Sequence, residues 1–335
     1  MKHFLALFRA RNREFYRDRD SMAWTLLFPF VLIIGIGFAS QGDRYAYQVG
    51  VVGTPPTELT QLPHLRAVPY DDLDQALLRL RQTQLNLVVQ AGQGDAPTRY
   101  WLNEQDNGAW YLDRSIRDLL PAWQRQAVSG QVYSYAVWVV PGVLCMSLLF
   151  SCLYGTGYII VRYRDQGVLK RLRATPITAL EFLAAQAASR LLITVATLAM
   201  VFTAAWWWLD FPLQGSPWLL LLIAAAGSLT MIGVSLICAA RTDSMEFMNG
   251  LVGLVSWPMM FVSGLWFSLD NSPAWLQALS QVMPLTHIVE AARAVMLNGA
   301  GLADIQGHLW VLLVMAVATM SLAATLFRWT RTSGR

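Results

Sequence analysis

Basic side chains collect in one short stretch, residues 162–181, which reads RYRDQGVLKRLRATPITALE. Five of the chain's 25 lysine and arginine residues fall there within twelve positions: Arg162, Arg164, Lys170, Arg171 and Arg173. Long uncharged runs flank the stretch, and basic residues in a short loop between membrane spans mark the cytoplasmic side. The stretch therefore predicts a cytoplasmic loop that either fixes the orientation of the protein in the membrane or is bound by a soluble partner.

A short amphipathic helix is predicted inside this loop. Val168, Leu169 and Leu172 recur at helical spacing, so two turns would gather them into one apolar ridge rimmed by guanidinium groups. Pro176 disfavours the helical conformation at Thr175 and should end the helix there. Joined stiffly to a span at each end, such a helix would act as a lever for a partner. The alternative is a positive-inside anchor without a partner.

Two further sets of ionisable residues stand apart from this loop. His287, Glu290 and Arg293 fall on one face of a predicted helix, where Glu290 and Arg293 can pair. As an isolated histidine, His287 fits a hydrogen-bonding or helix-capping role better than metal ligation. Arg190 is the one formal charge well inside a predicted span, which indicates a pathway or packing role, or a side chain that snorkels to the inner surface.

Catalytic motifs are absent from the sequence. It contains no GxxxxGK[ST] phosphate-binding loop, no HExxH, no GxSxG and no pair of carboxylates within an apolar run. Its two lysines, Lys2 and Lys170, do not follow a glycine-rich loop. We therefore expect no catalytic site, no metal site and no bound cofactor in this chain, and an integral membrane enzyme is disfavoured.

Uncharged runs dominate the 335 residues, of which 55% are hydrophobic and 14% charged. The gaps between charges predict six transmembrane helices, each with room for the ~20 residues that cross a bilayer. Basic residues predominate in the first twenty positions and in the tail, whereas residues 41–130 carry slightly more acids than arginines. Both termini and the basic loop are therefore predicted to be cytoplasmic. The three cysteines lie in apolar runs and imply no disulfide framework.

The predicted fold class is a mainly α-helical polytopic membrane protein with a small extracytoplasmic α/β domain between transmembrane helices 1 and 2. Residues 1–20 form an interfacial helix, 21–41 the first span, 42–130 the external domain and 131–335 spans two to six. Within the external domain, strands are predicted at 45–52, 85–90 and 98–102, and helices at 71–82 and 106–128. The Pro141-Gly142 pair predicts a kink or a broken entry in span two.

Residues 270–298 predict two helices, 273–282 and 285–297, which break at Pro284. Each helix is too short to cross a membrane, yet each carries an apolar face. Because they fall on the outer side between spans five and six, a re-entrant or interfacial hairpin is predicted.

Both regions resemble the ABC-2 family of ABC exporter permeases. In the basic loop the matching positions are Asp165, Gly167, Leu169, Leu172, Thr175 and Pro176. The family often has an acid shortly after the glycine, where this chain has Lys170 and Arg171. In the second region the matching positions are Ser263, Gly264, Pro273, Trp275, Pro284, Leu285, Thr286, His287 and Arg293. With the six-span layout, the resemblance covers nearly the whole chain and is weakest in the external domain.

The resemblance implies a permease subunit of a bacterial inner membrane that hydrolyses no ATP itself. An ABC ATPase subunit would bind ATP and Mg²⁺, a second permease copy or related chain would complete the path, membrane lipid would surround both, and no nucleic acid is involved. The ATPase-coupling residues would be Arg164, Asp165, Gly167, Val168, Leu169, Leu172, Thr175 and Pro176. The outer gate would comprise Pro273, Trp275, Pro284, His287, Glu290 and Arg293. The pathway candidates are Trp138, Phe150, Tyr154, Arg190, Phe261 and Trp266.

Such a lining favours export of an amphipathic or hydrophobic substrate, such as a drug, a lipid or a lipid-linked molecule. The alternative function is a membrane-anchored sensor or scaffold whose external α/β domain binds a ligand. Association with an ATPase would distinguish the two.

Overall fold

The computed structural model describes residues 2–40, 47–53, 56, 65–81, 85–92, 97–103, 109–128, 135–208, 213–266, 269 and 272–329. Parts of several predicted segments lie outside these ranges, among them residues 41–46, 104–108, 129–134, 270–271 and 330–335. The chain divides into two compact units, one of residues Met1–Gly35 with Trp138–Arg335 and one of residues Ile36–Val137.

The first unit is helical. Its helices are α1 (Lys2–Arg17), α2 (Arg19–Ser40, of which residues 36–40 fall in the other unit), α5 (Tyr135–Cys152, from Trp138 onward), α6 (Ile159–Asp165), α7 (Val168–Arg173), α8 (Ala179–Trp208), α9 (Pro217–Ala240), α10 (Met245–Val262), α11 (Ala274–Val282), α12 (Pro284–Asn298) and α13 (Leu302–Leu326). A π-helical segment, Leu153–Tyr158, joins α5 to α6.

Five helices among the described residues are long and apolar enough to cross a membrane. They are Val137–Asp165, Ala179–Trp207, Pro217–Ala240, Met245–Val262 and Leu302–Leu326. In α2 the apolar stretch found over the described residues is the shorter Thr25–Gly35, so the count of six spans stays a prediction. The chain is a multi-pass membrane protein by this composition, and its spans two to six lie where the charge gaps place them.

Span two does not break at Pro141. Helix α5 continues through it, and Gly142 leaves room for the carbonyl of Leu265, which a Cβ would approach to 2.8 Å. The irregular part of this span is instead the π-helical segment more than two turns later, which the sequence analysis did not predict.

Over its described residues, the second unit contains a five-stranded sheet with one helix packed on each face. Strands β1 (Tyr47–Val52), β2 (Leu65–Tyr70), β3 (Leu87–Gln90), β4 (Arg99–Asn103) and β5 (Gln124–Val128) are ordered β2-β1-β3-β4-β5. All neighbouring pairs are parallel except β3 with β4. Helices α3 (Leu73–Arg81) and α4 (Ala109–Leu119) complete the unit.

Alternation along the strands builds two cores. Val49, Val51 and Leu87 pack with Ile116 of α4, whereas Val88 faces the opposite side with Leu80 of α3. The predicted α/β character of this segment agrees with the sheet, although two strands were missed. The helix predicted at 106–128 ends at Leu119, because Pro121 removes a backbone donor, and its remainder forms β5.

Candidate functional site

The π-helical segment Leu153–Tyr158 is held by side chains from two other helices. The Ser235 hydroxyl of α9 accepts from the Gly157 N–H at 2.8 Å and donates to the Leu153 carbonyl at 2.8 Å. Arg11 of α1 donates to the Gly155 carbonyl at 3.1 Å. These bonds satisfy backbone groups that a π turn shifts away from ordinary helical partners, and such turns are frequent at functional sites.

Arg190 of α8 lies against this segment. Its side chain is 6% exposed, it donates to the Ser151 hydroxyl, and its guanidinium lies 5.8 Å from the Phe15 ring centroid. A Cβ on Gly155 would overlap the guanidinium, so the missing side chain at Gly155 makes room for it. Among the described residues no carboxylate lies within ion-pair distance of Arg190, and its Nε has no hydrogen-bond partner. In this conformation protein encloses the guanidinium.

A network of charged side chains closes one side of the same region. Glu14 of α1 accepts from Arg11 at 2.8 Å and from Arg162 and Tyr163 of α6. Asn12, on the same helix, accepts from Ser189 of α8 at 2.6 Å. Helix α1, predicted as an interfacial helix, packs one face on protein, and this face includes the buried Arg11.

A cavity of about 530 Å³ is lined by Arg11, Glu14, Arg162 and Arg190 of this region. Its wall carries three guanidiniums, from Arg11, Arg162 and Arg190, and two carboxylates, from Glu14 and Asp18, which leaves an excess of one positive charge. Its aromatic lining consists of Phe15, Phe28, Phe150, Tyr154 and Tyr158. Phe150 and Tyr154 stack with ring centroids 6.3 Å apart. A cavity of this kind suits a molecule with a polar or anionic head and an apolar body.

Three of the six predicted pathway residues, Phe150, Tyr154 and Arg190, come together in this cavity, and the other three do not line it. Trp138 is buried beneath Arg293, whose guanidinium carbon lies 3.7 Å from the ring centroid. Phe261 is half exposed on α10 and stacks with Trp257. Trp266 packs against the main buried cluster.

Arg293, from the predicted gate, joins three helices. It donates to the Gly264 and Leu265 carbonyls just after α10, both at 2.7 Å, while it stacks on Trp138 of α5. Gly264 has a φ of 66°, a conformation that glycine adopts without strain. Gly264 of the matching Ser-Gly pair and Arg293 are thus parts of one contact.

The predicted hairpin helices are present as α11 and α12, with Pro284 at the first position of α12. Pro273 and Trp275 are exposed at the start of α11. His287 is not the isolated histidine of the sequence analysis, because its Nδ1 lies 3.1 Å from Nδ1 of His308 on α13. Its Nε2 bonds the Gln281 carbonyl at 2.9 Å, which agrees with the hydrogen-bonding role. Glu290 lies 3.8 Å from His308 Nδ1.

The basic loop has the predicted short helix, α7, which begins after Gly167 with a φ of 71°. The Thr175 hydroxyl donates to the Leu172 carbonyl, and Thr178 with Glu181 forms a reciprocal cap at the start of α8. Exposed residues of the loop are Asp165, Gln166, Lys170, Arg171, Arg173, Ala174, Thr175, Pro176, Thr178 and Leu180. The predicted apolar ridge of this helix is only partly available to a partner. Val168 and Leu172 are half-buried, and Leu169 is fully buried.

Arg164 is also not on the outer rim of the loop. Its side chain is 1% exposed, and its guanidinium donates to four carbonyls, those of Ala239, Ala240, Thr242 and Arg328. Asp243 lies 3.9 Å away. Arg164 therefore ties the base of the loop to the ends of α9 and α13. In this conformation it would affect a docked partner only through the loop it supports.

Comparison with known proteins identifies the family. The family model described as ABC-2 type transporter matches residues 111–297, more than half of the chain. The chain belongs to the ABC-2 type transporter family. The predicted resemblance is thereby confirmed, and the matched range contains the π-helical segment, the basic loop and both hairpin helices.

Curated relatives carry permease names. The probable multidrug ABC transporter permease YbhR of Escherichia coli (strain K12) is 26% identical over 196 residues, 58% of this chain and 53% of YbhR. YbhS of the same organism, also named a probable multidrug ABC transporter permease, is 20% identical over 366 residues, 97% of this chain and 95% of YbhS. The linearmycin resistance permease protein LnrN of Bacillus subtilis (strain 168) is 24% identical over 207 residues. The chain spans about half the length of YbhR and of LnrN.

Several residues of this ABC-2 protein's site were not singled out from the sequence. Arg11 and Glu14 were treated as parts of an interfacial helix, and Gly155 and Ser235 went unnoticed. The available signals were weak. One is a Gly-Thr-Gly run, residues 155–157, inside an apolar span, and the other is the hydroxyl of Ser235 inside a second apolar span. Neither indicates its partner, which comes from a different helix.

Proposed function

We propose that this chain is the permease subunit of an ATP-driven ABC-2 type exporter in the bacterial inner membrane, and that its substrate is an amphipathic molecule with an anionic or strongly polar head. The observation that carries the substrate class is the cavity lined by Arg11, Arg162 and Arg190. The permease names of the relatives support the transport role.

The position of Arg190 supports a binding role over a purely structural one. It lies eleven residues beyond the start of α8, or about 16 Å along the axis of this 30-residue helix, so we expect it to lie inside a ~30 Å hydrocarbon core. A charge at that depth is costly and usually serves a substrate path. An anionic head would supply the carboxylate or phosphate that the described residues do not offer it.

The cavity could hold such a head while leaving a tail among aromatic rings. Arg162 stands at the basic-loop end of its span, and Arg190 stands deeper, so an anion could pass from one guanidinium to the other. Glu14 engages Arg11 and Arg162 in the meantime. This exchange would let the substrate replace an internal ion pair rather than enter beside unpaired charges.

ATP hydrolysis would come from a separate ABC ATPase subunit with its own Mg²⁺. The exposed basic face of α7, formed by Lys170, Arg171 and Arg173, is the docking surface we propose for it. Arg164 would pass the movement of the loop to α9 and α13 through its four carbonyl contacts. Both termini would then be cytoplasmic, and the sheet unit extracytoplasmic.

A second permease copy would complete the path. Helix α10 leaves Phe247, Leu254, Trp257 and Phe261 exposed, and this face could meet lipid or its counterpart in the second copy. The joint of Arg293 with α5 and α10 supports α12 as part of an outer gate.

Binding of a matched pair of fluorescent probes tests the substrate class. Dansyl-labelled undecanoic acid and its primary amide differ only in head charge. Because a hydrogen bond to a charged group contributes about 1.5–3 kcal/mol, we expect the acid to bind the purified protein roughly 10- to 100-fold more tightly than the amide. Arg190→Met should abolish this preference, while Arg173→Met, an exposed residue of the basic loop, should keep it. Equal binding of acid and amide by the unaltered protein would contradict the proposal.

A further inference from the structure

We propose that His287, Glu290 and His308 form a binding site for a transition-metal dication, for which Zn²⁺ fits best, and that the ion fastens helix α12 to helix α13. This site is separate from the cavity and does not depend on the identity of the transported substrate. One ligand atom from each of the three side chains lies within 4.8 Å of the others.

The distances suit a small tetrahedral ion. Two nitrogens bound to one Zn²⁺ at about 2.0–2.1 Å stand about 3.3 Å apart, and the two histidine Nδ1 atoms here are 3.1 Å apart. The Glu290 carboxylate is 3.8 Å from His308 Nδ1, close enough for a change of side-chain rotamer to bring it into coordination. Two imidazoles and one carboxylate are a ligand set that zinc accepts readily, with a fourth position left for water.

The hydrogen bond of His287 prepares it as a ligand. A carbonyl oxygen can only accept, so the contact with the Gln281 carbonyl at 2.9 Å places a proton on Nε2. In a neutral imidazole Nδ1 then carries the free lone pair, and it points toward His308. Metal-binding histidines characteristically direct their other ring N–H to a carbonyl or carboxylate in this way.

The site is supported on one side and open on the other. His287 is 5% exposed, whereas the side chains of His308 and Glu290 are 30% and 44% exposed, so an ion has a route in. Glu290 and His287 are one turn apart on α12, and His308 lies about 9 Å along α13 from its start. A bound ion would therefore cross-link the second hairpin helix to the last span.

Zinc titration of the full-length protein in detergent tests this inference. The protein is purified with a non-histidine tag and stripped with EDTA, and ZnCl₂ binding is measured by calorimetry together with thermal unfolding. We expect one Zn²⁺ per chain and a rise in Tm on addition. His308→Gln and Glu290→Gln each remove one ligand from a partly exposed position, and each should weaken binding at least about tenfold. His3→Gln, an exposed position of α1, is the matched control and should bind as the unaltered protein does.

Two results would overturn the inference. One is zinc binding by His308→Gln that equals that of the unaltered protein. The other is a Tm that falls in His308→Gln but does not respond to zinc in either protein, which would mean that the two histidines only hydrogen-bond each other. MgCl₂ should leave Tm unchanged in all variants, because Mg²⁺ prefers an octahedral shell of oxygens.

Discussion

At the residue scale, the position of the buried Arg190 guanidinium depends on the small size of a neighbouring residue. Gly155 provides the space, Ser151 accepts one hydrogen bond, and Phe15 presents a ring to the cation. A charged side chain inside a membrane span loses its hydration. Among the described residues no carboxylate replaces that hydration at Arg190. We infer that an anionic ligand supplies the missing favourable interaction.

Gly155→Ala tests the space around Arg190. The added methyl group would displace the guanidinium, so we expect affinity for dansyl-labelled undecanoic acid to fall about tenfold, equivalent to the loss of one charged hydrogen bond. Gly250→Ala, in helix α10, is the matched control because a Cβ there meets nothing within 4 Å. Both changes replace a helical glycine by alanine, so a loss of affinity confined to Gly155→Ala reports on the space beside Arg190. Unchanged probe affinity in a folded Gly155→Ala protein would count against this site.

Arg164 carries a second prediction at this scale. Arg164→Gln removes a buried guanidinium that serves four carbonyls, and we expect it to destabilise the protein by about 3 kcal/mol. SDS titration of the protein in mixed micelles measures this difference. Arg173→Gln, an exposed change in the same loop, should shift the unfolding midpoint little. An equal effect of the two substitutions would show that the contacts of Arg164 do not stabilise the base of the loop.

Individual residues were predictable only where their own type was unusual for the position. Arg190 was noticeable because it interrupts an apolar run, and its interest follows from the cost of charge in a membrane. His287 was not paired with His308, since 21 residues and a turn separate them along the chain. Arg164 was grouped with its basic neighbours, because sequence spacing does not distinguish an outward guanidinium from one turned into a helix joint.

At the scale of elements, the basic loop is a short helix held rigidly at both ends. Leu169 is buried in the main cluster, Gly167 turns the chain into α7, and Thr178 caps α8. The exposed face that remains is basic rather than apolar. The partner surface we propose for it is therefore acidic, in keeping with the lysine and arginine that replace the acid often found in the family.

Charge reversal tests this docking face. Lys170→Glu with Arg173→Glu places carboxylates on exposed positions without touching the buried contacts, and we expect association with the ATPase to weaken by about tenfold or more. Arg99→Glu with Arg114→Glu, both exposed in the sheet unit, is the matched control. The measurement is the yield of ATPase that co-purifies per permease chain. A yield that falls equally in both double variants, or in neither, would remove α7 as the docking face.

Elements were predictable where local pattern decides them. Apolar length predicted spans two to six, and Pro284 predicted the break between α11 and α12. Strands β2 and β5 were missed: β2 contains a proline, and β5 is a polar strand whose first four residues are exposed. Such strands are defined by pairing with their neighbours rather than by their own sequence. The π-helical segment likewise depends on Ser235 and Arg11 from other helices.

At the scale of the whole molecule, the chain combines a helical membrane unit with a separate sheet unit. The membrane unit contains the cavity, the basic loop and the histidine pair, so these three features lie within one compact body. It also lacks any phosphate-binding loop in its sequence. Under the exporter proposal, ATP hydrolysis would come from another subunit.

Purification from native membranes in mild detergent, with mass spectrometry of the co-purifying proteins and an ATP hydrolysis assay, tests this central claim most directly. We predict a P-loop ATPase in stoichiometric amount and vanadate-sensitive ATP turnover in the same fraction. A folded, monodisperse preparation with no ATPase and no hydrolysis would contradict the exporter proposal and would favour a sensor or scaffold built on the α/β unit.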